Sequence, residues 1–323
     1  MTDIFSSSDL PPPMSIAAVE RDCGIPKDTL RIWERRYGFP APLRDANDER
    51  LYPADQVARL RLLRRLIAAG HRPGKVVALP ADELLDLIRG LERPPARRAR
   101  AGADSAVIPE RSADAAEVLG ALAAHDAERL RSHLAGLLLR EGLGGFAGRV
   151  GPGLIHAVGA AWARGALEIH QEHLFTDQFT GVLRNAIGAV AATGGPQMPP
   201  RVLLTTLPGE PHGLGLLMAE AMFALEGCAC VSLGVQTPVR DIALAARAHR
   251  ADVLALSFSE AIGAGLARAG LADLRALAPA DTEIWAGGAC PGLRDQPGVH
   301  RLRDLAGIAG DVARWRQSAA AQN

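Results

Sequence analysis

The stretch PGEPHGLG, residues 208–215, places Glu210 two residues before His212 in a loop that Gly213 and Gly215 allow to turn tightly. A histidine that ligates a metal through one ring nitrogen usually donates the other to a carboxylate, which fixes its tautomer and raises its basicity. An E-x-H unit on a loop supplies both groups. Alone, the same pattern also describes an ordinary exposed loop histidine. A second constellation lies in AWARGALEIHQEH, residues 161–173, where Trp162 is followed ten and eleven residues later by Glu172 and His173. Either Trp162 fills a helical core, or the three residues close over something bound. A glutamate beside a buried tryptophan is costly to bury unpaired, which favours a ligand. The third is basic: Lys27, Arg31 and Arg35 recur every four residues and share one helical face. Such a face can track the closely spaced phosphates of a duplex; by itself it is equally a solvated amphipathic helix.

These groups need elements to hold them. RVLLTTL (201–207), ACVSLGV (229–235), DVLALSF (252–258) and TEIWAG (282–287) are short, nearly continuous apolar runs separated by helix-like stretches. Strands buried on both faces and alternating with helices predict a doubly wound parallel sheet. Ligands of such sheets sit beyond the carboxyl ends of the strands, which is where His212 falls. Upstream, Gly165-Ala166 is a break between two antiparallel helices, with Trp162 and Glu172 one to two turns from the bend. After it, Phe175, Phe179, Val182, Leu183, Ala186 and Val190 share one helical face. Near the N-terminus, SIAAVERDCGIPKDTLRIWERRYG reads as helix, tight turn at Cys23-Gly24, and a second helix opened by Pro26. The expected architecture is therefore multidomain. A helical DNA-binding head spans 14–91, a Pro/Ala/Arg-rich linker 92–113, a helical bundle 114–195 and an α/β sheet domain 199–320, behind a disordered leader of 13 residues.

Charge supports that division. Net charge is zero over the 323 residues, yet residues 1–100 carry 18 Lys+Arg against 14 Asp+Glu, and the remainder carries 18 against 22. A basic first third on an acidic body suits a nucleic-acid-binding head joined to a part with another task. No apolar run approaches the roughly 20 residues that span a bilayer, and no basic segment followed by an apolar stretch marks a secretion signal. The four cysteines, Cys23, Cys228, Cys230 and Cys290, form no CxxC pair and read as reduced thiols of a cytoplasmic protein.

The stretch LRIWERRYGFPAPLRDANDERLYPADQVARLRLLRRLIAAGHRPGKV resembles the MerR-type winged helix-turn-helix. It matches at Leu30-Arg31, an aromatic with Glu34-Arg35, the Pro-rich exit, the wing RLYPADQVARL and Gly70. The resemblance implies that Arg31 and Arg35 on the recognition helix, with Lys27 on the same face, and Arg44, Arg50 and Tyr52 on the wing contact operator DNA. One departure is Asp48, where the family's wing carries glycine. Another is the linker, which stands where many relatives have a long dimerisation helix.

The set E-x-H-x-x-G, LGVQTP, SFSE and GGACPG, spread over roughly residues 200–310, resembles the cobalamin-binding domain of methionine synthase and its relatives. That resemblance implies His212 as the lower cobalt ligand, held by Glu210. The cofactor's nucleotide tail would pass Ser257, Gly287 and Gly288, with Gly215 and Ser259 also binding the cofactor. The preceding bundle and its W-x9-E-H pattern resemble the cap of the light-responsive CarH/LitR regulators, which join head, cap and cobalamin domain in this order. The resemblance implies that Trp162, Ile169, Glu172 and His173 surround the adenosyl group of adenosylcobalamin. It further implies a homo-oligomer, dimer or tetramer, that binds DNA in the dark and releases it on photolysis. The family has a histidine directly after the tryptophan as the second axial ligand formed by light; here that residue is Ala163, with His156, His170 and His173 nearby. Two other readings compete. One is a regulator that senses cobalamin or redox state without light. The other is a corrinoid carrier of a methyltransferase, against which the DNA-binding head argues. None of the leading readings is an enzyme.

Overall fold

The structure, a computed structural model, describes residues 13–68, 71–84, 87, 112–193, 197–290, 293 and 296–321. The chain divides into two compact units, 1–97 and 98–323. The expected leader through residue 12, Gly70, and the linker through residue 111 lie outside the described residues.

In the first unit, Ser15 caps α1 (Ile16–Cys23) by accepting from Ala18 N, and Gly24 ends the helix in the left-handed region. Pro26 then stands at the N-cap of α2 (Lys27–Tyr37), and Gly38 closes α2 at φ 68°. A three-stranded antiparallel sheet of β1 (Met14–Ser15), β3 (Arg50–Tyr52) and β2 (Leu43–Arg44) forms the wing. Helix α3 (Ala54–Ala68) follows, then the short α4 (Pro73–Val76). Val19, Leu30, Trp33, Tyr52, Leu60, Leu63 and Leu66 close one core. The helical and wing elements therefore stand or fall together.

The second unit opens with four helices: α5 (Ala113–Ala123), α6 (Ala127–Gly145), α7 (Gly151–Ala163) and α8 (Ile169–Thr193). A π-helical turn, Phe146–Val150, joins α6 to α7. The break between α7 and α8 falls where the sequence predicts it, with Gly165 at φ 74°. Next come β4 (Met198–Thr205), α9 (Leu214–Leu225), β5 (Cys228–Ser232), α10 (Val239–Ala248), β6 (Val253–Phe258), α11 (Ala264–Leu277), β7 (Glu283–Gly288), β8 (Val299–Arg301) and α12 (Ile308–Ala320). The sheet order is β5-β4-β6-β7-β8, with every named pair parallel. Ile242, Ala246, Ala267, Leu271 and Leu274 of α10 and α11 pack on one face; Leu216, Phe223, Ile308 and Val312 of α9 and α12 pack on the other. The predicted doubly wound sheet is thus present. Its fifth strand, β8, carries no apolar run. It is held instead by His300, which sits edge-on to Trp285 at 5.3 Å and bonds Asp311 of α12 at 2.6 Å.

Sequence reasoning separates bundle from sheet, but the two share a core. Leu217, Met218 and Ala221 of α9 are buried among Leu154, Phe175, Phe179 and Leu183 of the bundle. A helix apolar all round, as LGLLMAEAMFAL nearly is, is one buried on several sides. Gly151 marks the closest approach: a Cβ there would meet Met218 Sδ at 2.7 Å and Phe179 Cζ at 3.0 Å. Gly151→Ala should therefore destabilise the second unit by about 1–3 kcal/mol through overpacking. Denaturant unfolding of the full chain measures this, and an unchanged midpoint would refute the shared core.

Candidate functional site

The chain leaves β4 for β5 at one side and returns to β6 at the other, so the order reverses at the carboxyl ends of β4 and β6, where open α/β sheets bind ligands. Two loops meet there. Thr206 donates its hydroxyl to the Glu210 carbonyl at 2.6 Å and accepts Gln236 N–H at 2.8 Å, tying the loop after β4 to the loop after β5. Thr205 and Thr237 hydroxyls bond at 2.7 Å beside it. These threonines are absent from the sequence-based site; Thr237 stands in LGVQTP, but nothing in composition marks its role.

The Glu210 side chain is 0% exposed. Its Oε1 accepts the His212 backbone N–H at 3.1 Å and lies 2.6 Å from His212 Nδ1; it also accepts the Ser259 hydroxyl at 3.1 Å. Oε2 accepts Ser259 N–H at 2.6 Å. Burial pushes this carboxyl up, but the hydrogen bonds from His212 and Ser259 outweigh it and hold the group below its ordinary value. The carboxylate is therefore ionised and claims the Nδ1 proton of His212. The lone pair of that ring then lies on Nε2, and the His212 side chain is 57% exposed. Among the described residues no group of three or more His, Cys, Asp or Glu is placed to hold a metal ion. A single braced imidazole suits a metal whose other ligands come from a macrocycle.

Ser259 therefore supports Glu210 through both its backbone N–H and its hydroxyl. Gly215, Ser257 and Gly287 lie close together on the α9 face. A Cβ on Gly215 would meet Ser257 Oγ at 2.9 Å, Ser257 registers with Gly287, and a Cβ on Gly287 would meet Leu302 Cβ at 3.2 Å. Gly288 has a sufficient reason of its own: φ is 112°, and a Cβ would lie 2.1 Å from the Phe258 carbonyl.

In the cap, Trp162 ends α7 partly buried against the bundle core, and Ile169 opens α8 at 37% exposure. Glu172 engages His173 Nδ1 at 2.8 Å and accepts the Thr176 hydroxyl at 2.9 Å. Thr176 was not a sequence candidate. His170 stacks on His125 with centroids 5.3 Å apart.

In the head, Lys27 pairs with Glu20 at 3.4 Å, Arg31 with Asp28 at 3.1 Å, and Arg44 with Asp48 at 2.9 Å. Arg50 bonds Glu34 at 2.9 Å, joining wing to α2, and Arg35 is exposed. Tyr52 is a correction. It is 0% exposed and belongs to the core, so it offers no surface to a duplex. Asp48 adopts φ 62°, the left-handed conformation for which glycine serves, and aspartate is among the residues that tolerate it. The wing turn is kept.

Because the Glu210 carboxyl is held low in the fold, its contribution to stability is complete above its ordinary value of 4.5 and is lost as pH falls through the folded value. Wild type should lose stability more steeply below that pH than Glu210→Gln. At neutral pH the substitution should cost about 1–3 kcal/mol. Urea midpoints measured across the acid range decide it; parallel curves would remove Glu210 from this role.

The MerR HTH family regulatory protein model matches residues 14–79, and the B12 binding domain model matches residues 200–300. The HTH-type transcriptional repressor CarH of Myxococcus xanthus is 31% identical over 267 residues, 82% of this chain and 85% of the relative. The repressor CarA of the same organism is 30% identical over 251 residues, 77% of each chain. The HTH-type transcriptional regulator MlrA of Escherichia coli (strain K12) is 36% identical over 76 residues, 24% of this chain and 31% of that protein. With head, ligand domain and most of the length matched, the chain belongs to the CarH-type MerR family of cobalamin-responsive transcriptional regulators, which are not enzymes.

Proposed function

We propose that this protein is an adenosylcobalamin-dependent, light-responsive repressor, bound to operator DNA in the dark as a homo-oligomer, dimer or tetramer, and released on photolysis. The observation that carries the reading is the buried Glu210 carboxylate, which claims Nδ1 of His212 and leaves one imidazole nitrogen for a metal at the switch point of the sheet. His212 would hold the cobalt from below, with Glu210 and Ser259 fixing its tautomer. Gly215, Ser257 and Gly287 would take the nucleotide tail, with Gly288 beside them. Trp162, Ile169, Glu172 and His173 would cover the upper face. When bound, adenosylcobalamin supplies a cobalt–carbon bond that light can break. The bundle shares its core with α9, so loss of the adenosyl group beneath the cap would shift the population away from the DNA-binding assembly. Arg31, Arg35, Arg44 and Arg50, with Lys27, would meet the duplex; the pairs of Lys27, Arg31 and Arg44 are exposed and exchange at little cost, whereas Arg50 would keep Glu34.

Ala163 favours one variation. With no donor atom directly after Trp162, the chain would respond to the form of cobalamin without a second histidine ligand after illumination. The protein purified with adenosylcobalamin in the dark should bind its operator and lose about tenfold or more in affinity under green light. Equal retention, with photolysis confirmed by absorption spectra, would sink the light response. Ala163→His should add an absorption change after illumination that wild type lacks. His212→Ala should weaken cobalamin binding and alter the holo spectrum; unchanged binding and spectrum would remove His212 as the lower ligand.

A further inference from the structure

The two sides of α2 differ sharply. Leu30 and Trp33 are 0% and 5% exposed and face the head's core. Asp28, Arg31, Ile32, Arg35 and Arg36 are all exposed. Their spacing, i, i+3, i+4, i+7, i+8, makes them one continuous face. Four of the five are charged. The fifth, Ile32, sits at the centre and is 45% exposed.

Scattered exposed aliphatics need no explanation. Ile32 differs because the charge around it on this face is mostly positive. Three arginines share the face, and its one acid, Asp28, is already bonded to Arg31 at 3.1 Å. Whatever covers Ile32 must therefore carry negative charge and, at the centre, an apolar group. A helix of this width fits the major groove, whose rims are phosphates. On the base edges within that groove, thymine alone presents a methyl group.

We propose that Ile32 is a specificity-determining residue that packs against the C5-methyl of a thymine in the operator's major groove. This rests on the reading of the head as a DNA reader, and it adds which base the helix reads and by what contact. The arginines contact phosphates or guanines; Ile32 supplies discrimination that no charge can.

The test uses the full chain. Duplexes selected from a random library by wild type and by Ile32→Ala are sequenced. Each thymine of the wild-type site is then replaced by uracil, which removes only the methyl. Wild type should lose about fourfold in affinity at one or two positions, the value of one buried methyl group. Ile32→Ala should bind the unmodified site more weakly and show no further loss at those positions. Its salt dependence should match wild type, whereas Arg35→Ala should lower the slope by about one. Ile32→Val, which keeps a β-branched side chain, should retain the methyl sensitivity in part.

Uracil at every position having the same effect on wild type and Ile32→Ala would overturn the inference, as would Ile32→Ala altering the salt slope. Failure of wild type to enrich any sequence would instead overturn the reading of the head, and this inference with it.

Discussion

A carboxylate with no solvent exposure, that of Glu210, sets the terms for the ligand-binding end of the molecule. Removing such a charge from water is expensive unless donors replace the water. Here two backbone N–H groups, an imidazole and a hydroxyl do so. Half of these donors come from Ser259, which lies 49 residues along the chain. They meet only because β4 and β6 are neighbours in the sheet although β5 intervenes in sequence. Strand order is thus a condition for ionised Glu210, and ionised Glu210 is the condition for the His212 tautomer.

The same crossover helix serves two masters. At the start of α9, Gly215 approaches Ser257. Along its length, Leu216 and Phe223 pack on the sheet while Leu217, Met218 and Ala221 pack on the bundle. Its one misfit is Glu220, whose carboxyl burial pushes up against the pull of Arg184 on α8. Cores are close-packed and transmit strain rather than absorb it. Any displacement of the α7–α8 hairpin is therefore felt by α9, which begins two residues after His212.

Much of this was legible in sequence because apolar pattern and turn chemistry act locally. The four long strands are continuous apolar runs, and the α7–α8 break follows a glycine. What escaped depends on partners distant in sequence. VHR is no strand by composition; Trp285 and Asp311 make β8 one. Tyr52 has the type of a groove-contacting residue, and only the packing of α1 and α3 around the wing shows it buried. The bonds of Ser259 to Glu210 join residues 49 apart, which no local pattern reveals. Asp48 breaks a family preference for glycine yet keeps the backbone that glycine serves.

The two sides of the proposed cofactor are built on different physics. Below, His212 is braced from two loops through a buried charge. On the side that would face the adenosyl group, Glu172 is satisfied within its own helix by His173 and Thr176, and Trp162 rests on the bundle core. The upper side is thus held by packing and short-range bonds, which can rearrange without uncovering a buried charge. The lower side cannot move without doing so. On the proposed reading Ala163 would remove nothing from retention of the cofactor, which His212 and Glu210 would provide. It would bear only on the hairpin side, where a histidine would have given a rearranged state a bond of its own. The substitution therefore divides binding from response, and leaves the response to rest on how the cap repacks.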